Sequence, residues 1–297
     1  TVTGVQTCAL PISYPSLALG RTYLRIASRN SLYVYSKIRN IRTNGRSDKR
    51  MSTSIWPKIR DTAVPKGGAH IWWLLQAGFV IKSPGGTMIA IDPYLTDSVM
   101  TSYGVPRGYP APVSPEECEF DAVLATHPHD DHQDPEAIVP FSKHKKMKYV
   151  GPFSVIKLAR AGGFYGDRGI MLKRGEECTI GDIKIKAVAC RHMFELEPTP
   201  DAVGYVITVG KWRIYHSGDT EYDATIVDDT EGQVDCSLIC INGITGNMDT
   251  KEAGFLAWRQ GCKVEVPMHW GLWPEDSDAV KTATLNLDEF SEVFYGL

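Results

Sequence analysis

Thr126-His127-Pro128-His129-Asp130-Asp131-His132 is the stretch on which the reading of this chain turns. It follows Phe120-Asp121-Ala122-Val123-Leu124-Ala125, an apolar run of the length of a short buried strand. Side chains alternate along extended backbone, so His127 and His129 leave the strand end on one side, where two imidazoles can grip one cation. Asp131 and His132 lie where the chain has begun to turn and face a neighbouring position. Asp134-Pro135-Glu136 then supplies an N-cap, a proline at the first helical position and an acid in the first turn. The spacing H-x-H-x-D-H on a strand-to-helix loop therefore reads as half of a two-metal site, held by rigid flanks.

Length and composition limit what surrounds this loop. A chain of 297 residues holds one large domain or two small ones, and 43% hydrophobic residues is ordinary for a globular protein. The net charge of −3 hides an asymmetry: residues 1–50 carry nine Lys/Arg and one acid, Asp48, which leaves residues 51–297 at about −11. An acidic body argues against charge-driven nucleic-acid binding, and no nucleic-acid partner is expected. Six of the seven cysteines lie in that body without a C-x-x-C pair, as reduced core residues of a cytoplasmic protein would. No apolar run approaches a membrane span.

Residues 2–12 resemble the translation of a common sequencing adapter, and residues 13–50 are rich in Arg, Ser and Tyr. The expectation is an artefactual, disordered or poorly packed extension over 1–50, with the protein beginning at Met51 and one hydrolase domain over 51–297. An Arg-rich, acid-poor transit peptide is the alternative for the same stretch.

From Met51 onward, Ile71–Leu75, Phe79–Ile81 and Thr87–Asp92 read as strands, the last two joined through Ser83-Pro84-Gly85-Gly86. Residues 96–115, with four prolines, read as a long loop and a lid. Lys143-His144-Lys145-Lys146 reads as a solvated face. Met147–Val150 is a strand, and a helix from Ser154 to Ala161 stops at Gly162-Gly163. The alternation of Ile183–Ala187 marks a half-exposed strand leading to Cys190-Arg191-His192. Tyr205–Val209 and Trp212–Tyr215 form a hairpin that delivers His216-Ser217-Gly218-Asp219-Thr220. Cys236–Ile241 is another strand, Thr250 is read as the N-cap of a helix, Val264–Met268 ends in His269, and an amphipathic helix is read from Asp288.

Strands outnumber helices, arrive in hairpins and are interrupted by single helices, which predicts two packed sheets flanked by helices. His127, His192, Asp219 and His269 each follow an apolar strand, and two such sheets would gather them along one edge.

The series His127-x-His129-x-Asp131-His132, His192, Asp219 in Ser-Gly-Asp-Thr, and His269 resembles the full ligand set of the metallo-β-lactamase superfamily. Leu124–His132, Tyr215–Asp219 and Val266–His269 are similar to its L-ascorbate-6-phosphate lactonase-like branch. The resemblance spans about residues 68–275. It implies an α+β fold, a four-layer αββα sandwich of two mixed sheets, with a two-metal centre between them. It further implies His127, His129 and His192 on one metal, Asp131, His132 and His269 on the other, and Asp219 bridging. Asp92 and His216 would support the ligands from behind, and Asp130 would be structural. The shortened lid region sets the chain apart from that branch's phosphorylated-sugar lactonase.

Imidazole and carboxylate ligands without thiolate admit two divalent ions, Zn or Mn, with Fe also compatible. A metal-bridging hydroxide would attack a small ester, lactone or phosphodiester, with Asp131 or Asp219 carrying its proton. A phosphodiesterase or nuclease on the same fold is the alternative, and a homo-oligomer stays open. Cys190 and His70 are read as structural. Trp270 and Trp273 wall the pocket or merely pack. Asn247 faces the site or only serves a turn. Arg191 and Arg107 bind an anionic group or lie idle at the surface.

Overall fold

The computed structural model of the protein describes residues 32–35, 54–194 and 196–273. The expected tail helix and all but four residues of the 1–50 extension lie outside them. Those four, Leu32–Tyr35, form strand β1, paired in parallel with β2 (Ala69–Trp73).

After helix α1 (Trp56–Asp61), β2 runs into β3 (Phe79–Lys82) and β4 (Met88–Ile91), with β3 antiparallel to β2 and β4 antiparallel to β3. Helix α2 (Ser98–Tyr103) precedes β5 (Ala122–Leu124), α3 (Pro135–Ser142), β6 (Lys148–Gly151), α4 (Phe153–Ala161) and β7 (Gly169–Met171). Strands β4 to β7 are parallel, and the first sheet has the order β1-β2-β3-β4-β5-β6-β7. Then come β8 (Glu177–Ile180), β9 (Ile183–Val188), β10 (Gly204–Val209), β11 (Trp212–His216), α5 (Ala224–Thr230), β12 (Cys236–Cys240), α6 (Thr250–Gln260) and β13 (Val264–Met268). They form a second sheet in the order β13-β12-β11-β10-β9-β8, antiparallel from β8 to β11 and parallel from β11 to β13.

The period of two decides which side chain faces which layer. In the first sheet Ile71, Phe79, Ile81, Ile89, Ile91 and Leu124 pack between the sheets against Ile185, Tyr205 and Ile207. Their neighbours Trp72, Val80, Ala90, Val123 and Ala125 pack outward on Ile59, Ile138, Phe141, Val155 and Ala159 of the helices. Both faces are buried, which is why these strands read as continuous apolar runs. Helices α5 and α6 cover the second sheet through Ile226, Val227, Leu256 and Ala257. The result is the αββα sandwich in two mixed sheets.

Three local expectations change. The 96–115 segment is not all loop: α2 occupies part of it and ends on Gly104 at φ 73°. Asp249, not Thr250, caps α6, because Asp249 Oδ1 accepts from Glu252 N at 2.8 Å while Glu252 Oε2 accepts from Asp249 N at 3.1 Å. Strands β7 and β8 and helices α1 and α5 were not marked by the sequence pattern.

His70 on β2 sits opposite Lys82 on β3 and is 4% exposed. Lys82 donates to the carbonyls of Ile59, Arg60 and Thr62, at 3.3, 2.6 and 3.0 Å, at the end of α1. Burial, followed by the Lys82 charge, brings the His70 pKa down from 6.5 to about 4. The unfolded chain therefore binds more protons than the folded one between those values, and His70 costs stability as pH falls through that window. His70→Phe should remove on the order of 2–3 kcal/mol of the acid-side decline between pH 6.5 and 4. Urea melts at a series of pH values check this, and an unchanged slope would contradict it.

Candidate metal centre

The strand ends of both sheets meet over one cleft. β5 delivers Thr126 to His132, β9 leads to His192, β11 to Asp219, and β13 to His269. The seven expected side chains come together there. Three sets of donor atoms each lie mutually within 4.8 Å: His127, His129 and His192; His127, His132 and Asp219; Asp131, His132 and His269. His129 Nδ1 is 3.0 Å from His127 Nε2 and 3.2 Å from His192 Nε2. His269 Nε2 is 3.2 Å from both Asp131 Oδ2 and Asp219 Oδ2, and His132 Nε2 is 3.2 Å from Asp219 Oδ1.

The outer nitrogens explain what the inner ones present. His132 Nδ1 lies 2.8 Å from Asp92 Oδ2, His192 Nδ1 3.2 Å from Gly246 O, and His129 Nε2 3.0 Å from Glu197 O. A carbonyl or carboxylate oxygen only accepts, so each of these nitrogens carries a proton. Thr126 Oγ1 gives its own proton to Asp92 Oδ2 at 2.7 Å, which leaves it an acceptor for His127 Nδ1 at 3.0 Å. Four imidazoles are thereby fixed with their remaining nitrogens turned into the same space, the arrangement that metal-binding histidines require.

Electrostatics agrees. Burial, then the nearby His132, holds His127 well below its ordinary pKa, and burial also lowers His192. These two rings stay neutral, as ligands must. Burial pulls His132 down too, but the carboxylates of Asp219, Asp131 and Asp92 outweigh it and raise this ring well above 6.5. His269 rises to about 9, its burial overridden by Asp219 and Asp131. Asp131 and Asp219 are held below the usual carboxylate range despite burial, through His132 and His269. Positive charge is demanded at this end of the site. His132 Nε2 and Asp219 Oδ1, both buried and close, have no hydrogen-bond partner, which suits a pair of ligand atoms.

Strain gathers here as well. Among the described residues, the non-glycine ones with positive φ are Leu75, Gln76, Asp92, Thr245 and His269, at 77°, 49°, 45°, 54° and 62°. Gln76, Asp92 and His269 take part in the centre itself, and such backbone persists where surroundings over-determine it. Gly218 has φ 60°, and a Cβ there would lie 2.8 Å from Thr126, so the Ser217-Gly218-Asp219 turn admits only glycine.

Asp92 accepts from Thr126 N at 2.8 Å as well as from Thr126 Oγ1 and His132. His216 acts on backbone: its Nε2 donates to Ala77 O at 2.8 Å and its Nδ1 accepts from Gly218 N at 3.2 Å. Asn247 does face the site, donating to Asp219 Oδ2 at 2.7 Å. Trp270 and Trp273 both line the cleft. Asp130 lines it too, and Ser102 Oγ donates to its Oδ2 at 2.5 Å. Cys190 is absent from the donor sets and gives its Sγ hydrogen to Asp219 O at 3.0 Å.

Neither candidate arginine lines the cleft. Arg107 is buried on the carbonyls of Tyr94, Thr96 and Tyr109, and Arg191 pairs with Glu221 and Asp223. Sequence reasoning missed Gln76, whose Nε2 donates to Asp131 Oδ2 at 2.9 Å, and Thr126, Glu197 and Asn242. Only Thr126 had a signal, its place immediately before the first histidine.

Fold and site define a metallo-β-lactamase-type chain, and the protein belongs to that superfamily: the model of the Beta-lactamase superfamily domain matches residues 70–269. A metal-dependent hydrolase of Anaeromyxobacter dehalogenans (strain 2CP-C) is 30% identical over 222 residues, which cover 70% of this chain and 77% of that one. The probable L-ascorbate-6-phosphate lactonase of Salmonella heidelberg (strain SL476) is 26% identical over 260 residues, 73% of either chain. Igni18, a metallo hydrolase of Ignicoccus hospitalis, shares the fold at a TM-score of 0.58 and 19% identity, covering 76% of this chain and 90% of that structure. Among the described residues, no helix is long and apolar enough to cross a membrane.

Removing the Asp92 carboxylate strands three buried donors. Asp92→Ala should lower stability by about 3 kcal/mol or more, and Thr126→Val by about 1 kcal/mol. Urea unfolding in chelator measures both without any contribution from bound ions. An Asp92→Ala variant as stable as wild type would contradict the role given to that carboxylate.

Proposed function

We propose that the protein is a hydrolase of small esters or lactones that works through two divalent cations. His127, His129 and His192 would hold one, Asp131, His132 and His269 the other, and Asp219 would reach both. The supporting observation is the set of four outer imidazole nitrogens bound to oxygen acceptors, which turns the inner nitrogens toward the same space as two carboxylates. Neutral imidazole with carboxylate and no thiolate suits Zn or Mn, and Fe is compatible. Bound there, the pair would supply Lewis acidity toward a carbonyl oxygen and an activated water.

The chain's own groups do the rest. Asp131 is the more solvent-facing carboxylate, its side chain 18% exposed against 5% for Asp219, and Gln76 fixes one of its oxygens. In this reading it would hold a proton from water and return it to the leaving oxygen. Asp219 is locked by Asn247 and keeps a position between the histidine sets. The cleft of about 240 Å³ is small and opens over His129, Asp131, His192, Asp219 and His269. A phosphodiesterase or nuclease on this fold would want cationic walls, whereas Asp130 and Glu197 line this one. We place the enzyme in the cytoplasm, with a small-molecule substrate.

Metal analysis of purified protein should give two ions per chain. His132→Ala should lose one of them and turnover of at least 100-fold, while His144→Ala should keep both. The assay sets uncharged lactones and aryl esters beside cyclic and linear phosphodiesters, with Zn- and Mn-loaded protein. Turnover that survives exhaustive chelation would remove the mechanism.

A further inference from the structure

We infer that the cleft selects an uncharged lactone or ester whose apolar flank lies against Trp270 and Trp273, and that it discriminates against phosphomonoesters. The inference rests on the hydrolase reading above and narrows it to a substrate class.

The walls carry the first half. Trp270 is stacked on Trp73 with ring centroids 5.7 Å apart and planes at 26°, and its Nε1 donates to Pro267 O at 3.0 Å. Trp273 leans on the buried Tyr94 ring at 6.0 Å. Both indoles are therefore fixed in place while their free surfaces line the cleft. Val99, Phe194 and Ile244 extend the apolar lining. A rigid aromatic wall costs little ordering on binding and favours flat or apolar ligand parts.

Charge carries the second half. Two divalent cations set against Asp131, Asp219 and the buried Asp92 behind His132 leave a surplus of one positive charge, and Asp130 and Glu197 at the wall more than cancel it. Glu197 is fixed behind His129: its carbonyl accepts from His129 Nε2, and its carboxylate accepts from Tyr103 OH at 3.0 to 3.1 Å. Tyr103 belongs to α2, the helix that the sequence pattern showed only as a lid loop. The two arginines near this region do not line the cleft: Arg107 is buried against the Tyr94 ring at 4.4 Å, and Arg191 pairs with Glu221. A phosphate dianion would meet carboxylates at the wall, with like-charge repulsion in a partly desolvated cleft.

The test uses an uncharged hydroxy-γ-lactone bearing an aryl or alkyl flank and the phosphomonoester of the same lactone. Both are followed by tryptophan emission of the metal-loaded protein and by kcat/KM. The uncharged probe should bind and turn over at least about tenfold better. Glu197→Lys should narrow that gap several-fold by improving the phosphorylated probe, with Glu197→Gln falling between. Trp270→Leu should weaken the uncharged probe and blunt its emission change. Equal or better handling of the phosphorylated probe, or a gap unmoved by Glu197→Lys, overturns the inference and leaves hydrolysis standing. If neither probe turns over, the hydrolase reading fails, and the emission titrations still decide: preference for the uncharged probe supports the inference, and its absence overturns it.

Discussion

One buried carboxylate ties this centre together. Asp92 ends β4 in a left-handed conformation and accepts from the backbone and hydroxyl of Thr126, at the end of β5, and from the ring of His132. Through the Thr126 hydroxyl it also fixes His127. Two strand ends and two imidazoles, one from each half of the histidine cluster, thus answer to a single side chain. An ionised carboxylate without exposure is tolerable only with such a full set of donors. The same need explains why its position and that of Thr126 are coupled.

The second sheet contributes in a different way. Its strands end in tight turns that aim one side chain each: Gly218 lets Asp219 leave β11 sharply, and His269 follows β13 at φ 62° with its backbone N–H on Gln76 O at 3.1 Å. His216 staples the first of these turns to the loop before β3 through Ala77. The inter-sheet core of Ile, Val and Tyr side chains holds the two sets of strand ends at a fixed separation. The stiffness of that core and the strain at the rim are two sides of one design.

Much of this was readable in the residues themselves. The apolar runs of β3, β4, β5 and β12 announce strands covered on both faces, and the later site residues follow strands of more mixed pattern, β9, β11 and β13. The H-x-H-x-D-H spacing carries its chemistry openly. What escaped has physical reasons. β7 has three residues and β8 four, with mixed burial, so neither shows a period. Asp249 and Thr250 are both good caps, and only the reciprocal bond to Glu252 separates them. Gln76, Glu197 and Asn242 reach the site through loop conformation, where side-chain type says nothing about direction. The arginines misled for the converse reason: charge is visible in a sequence, but its nearest partner, such as Glu221 for Arg191, is not.

The electrostatic balance gives the arrangement its meaning. His132 and His269 hold protons above their ordinary range because Asp131 and Asp219 face them, while His127 and His192 stay neutral. A cation among Asp131, His132 and His269 would take over the role those protons play, and the neutral rings of the other half would ligate the second. Anomalous diffraction at the metal edge from crystals grown with Zn or Mn tests this most directly. The account predicts two peaks in the cleft, one within the three imidazoles of His127, His129 and His192, and one among Asp131, His132 and His269. A cleft without metal at saturating ion, or density held by other residues, would contradict it.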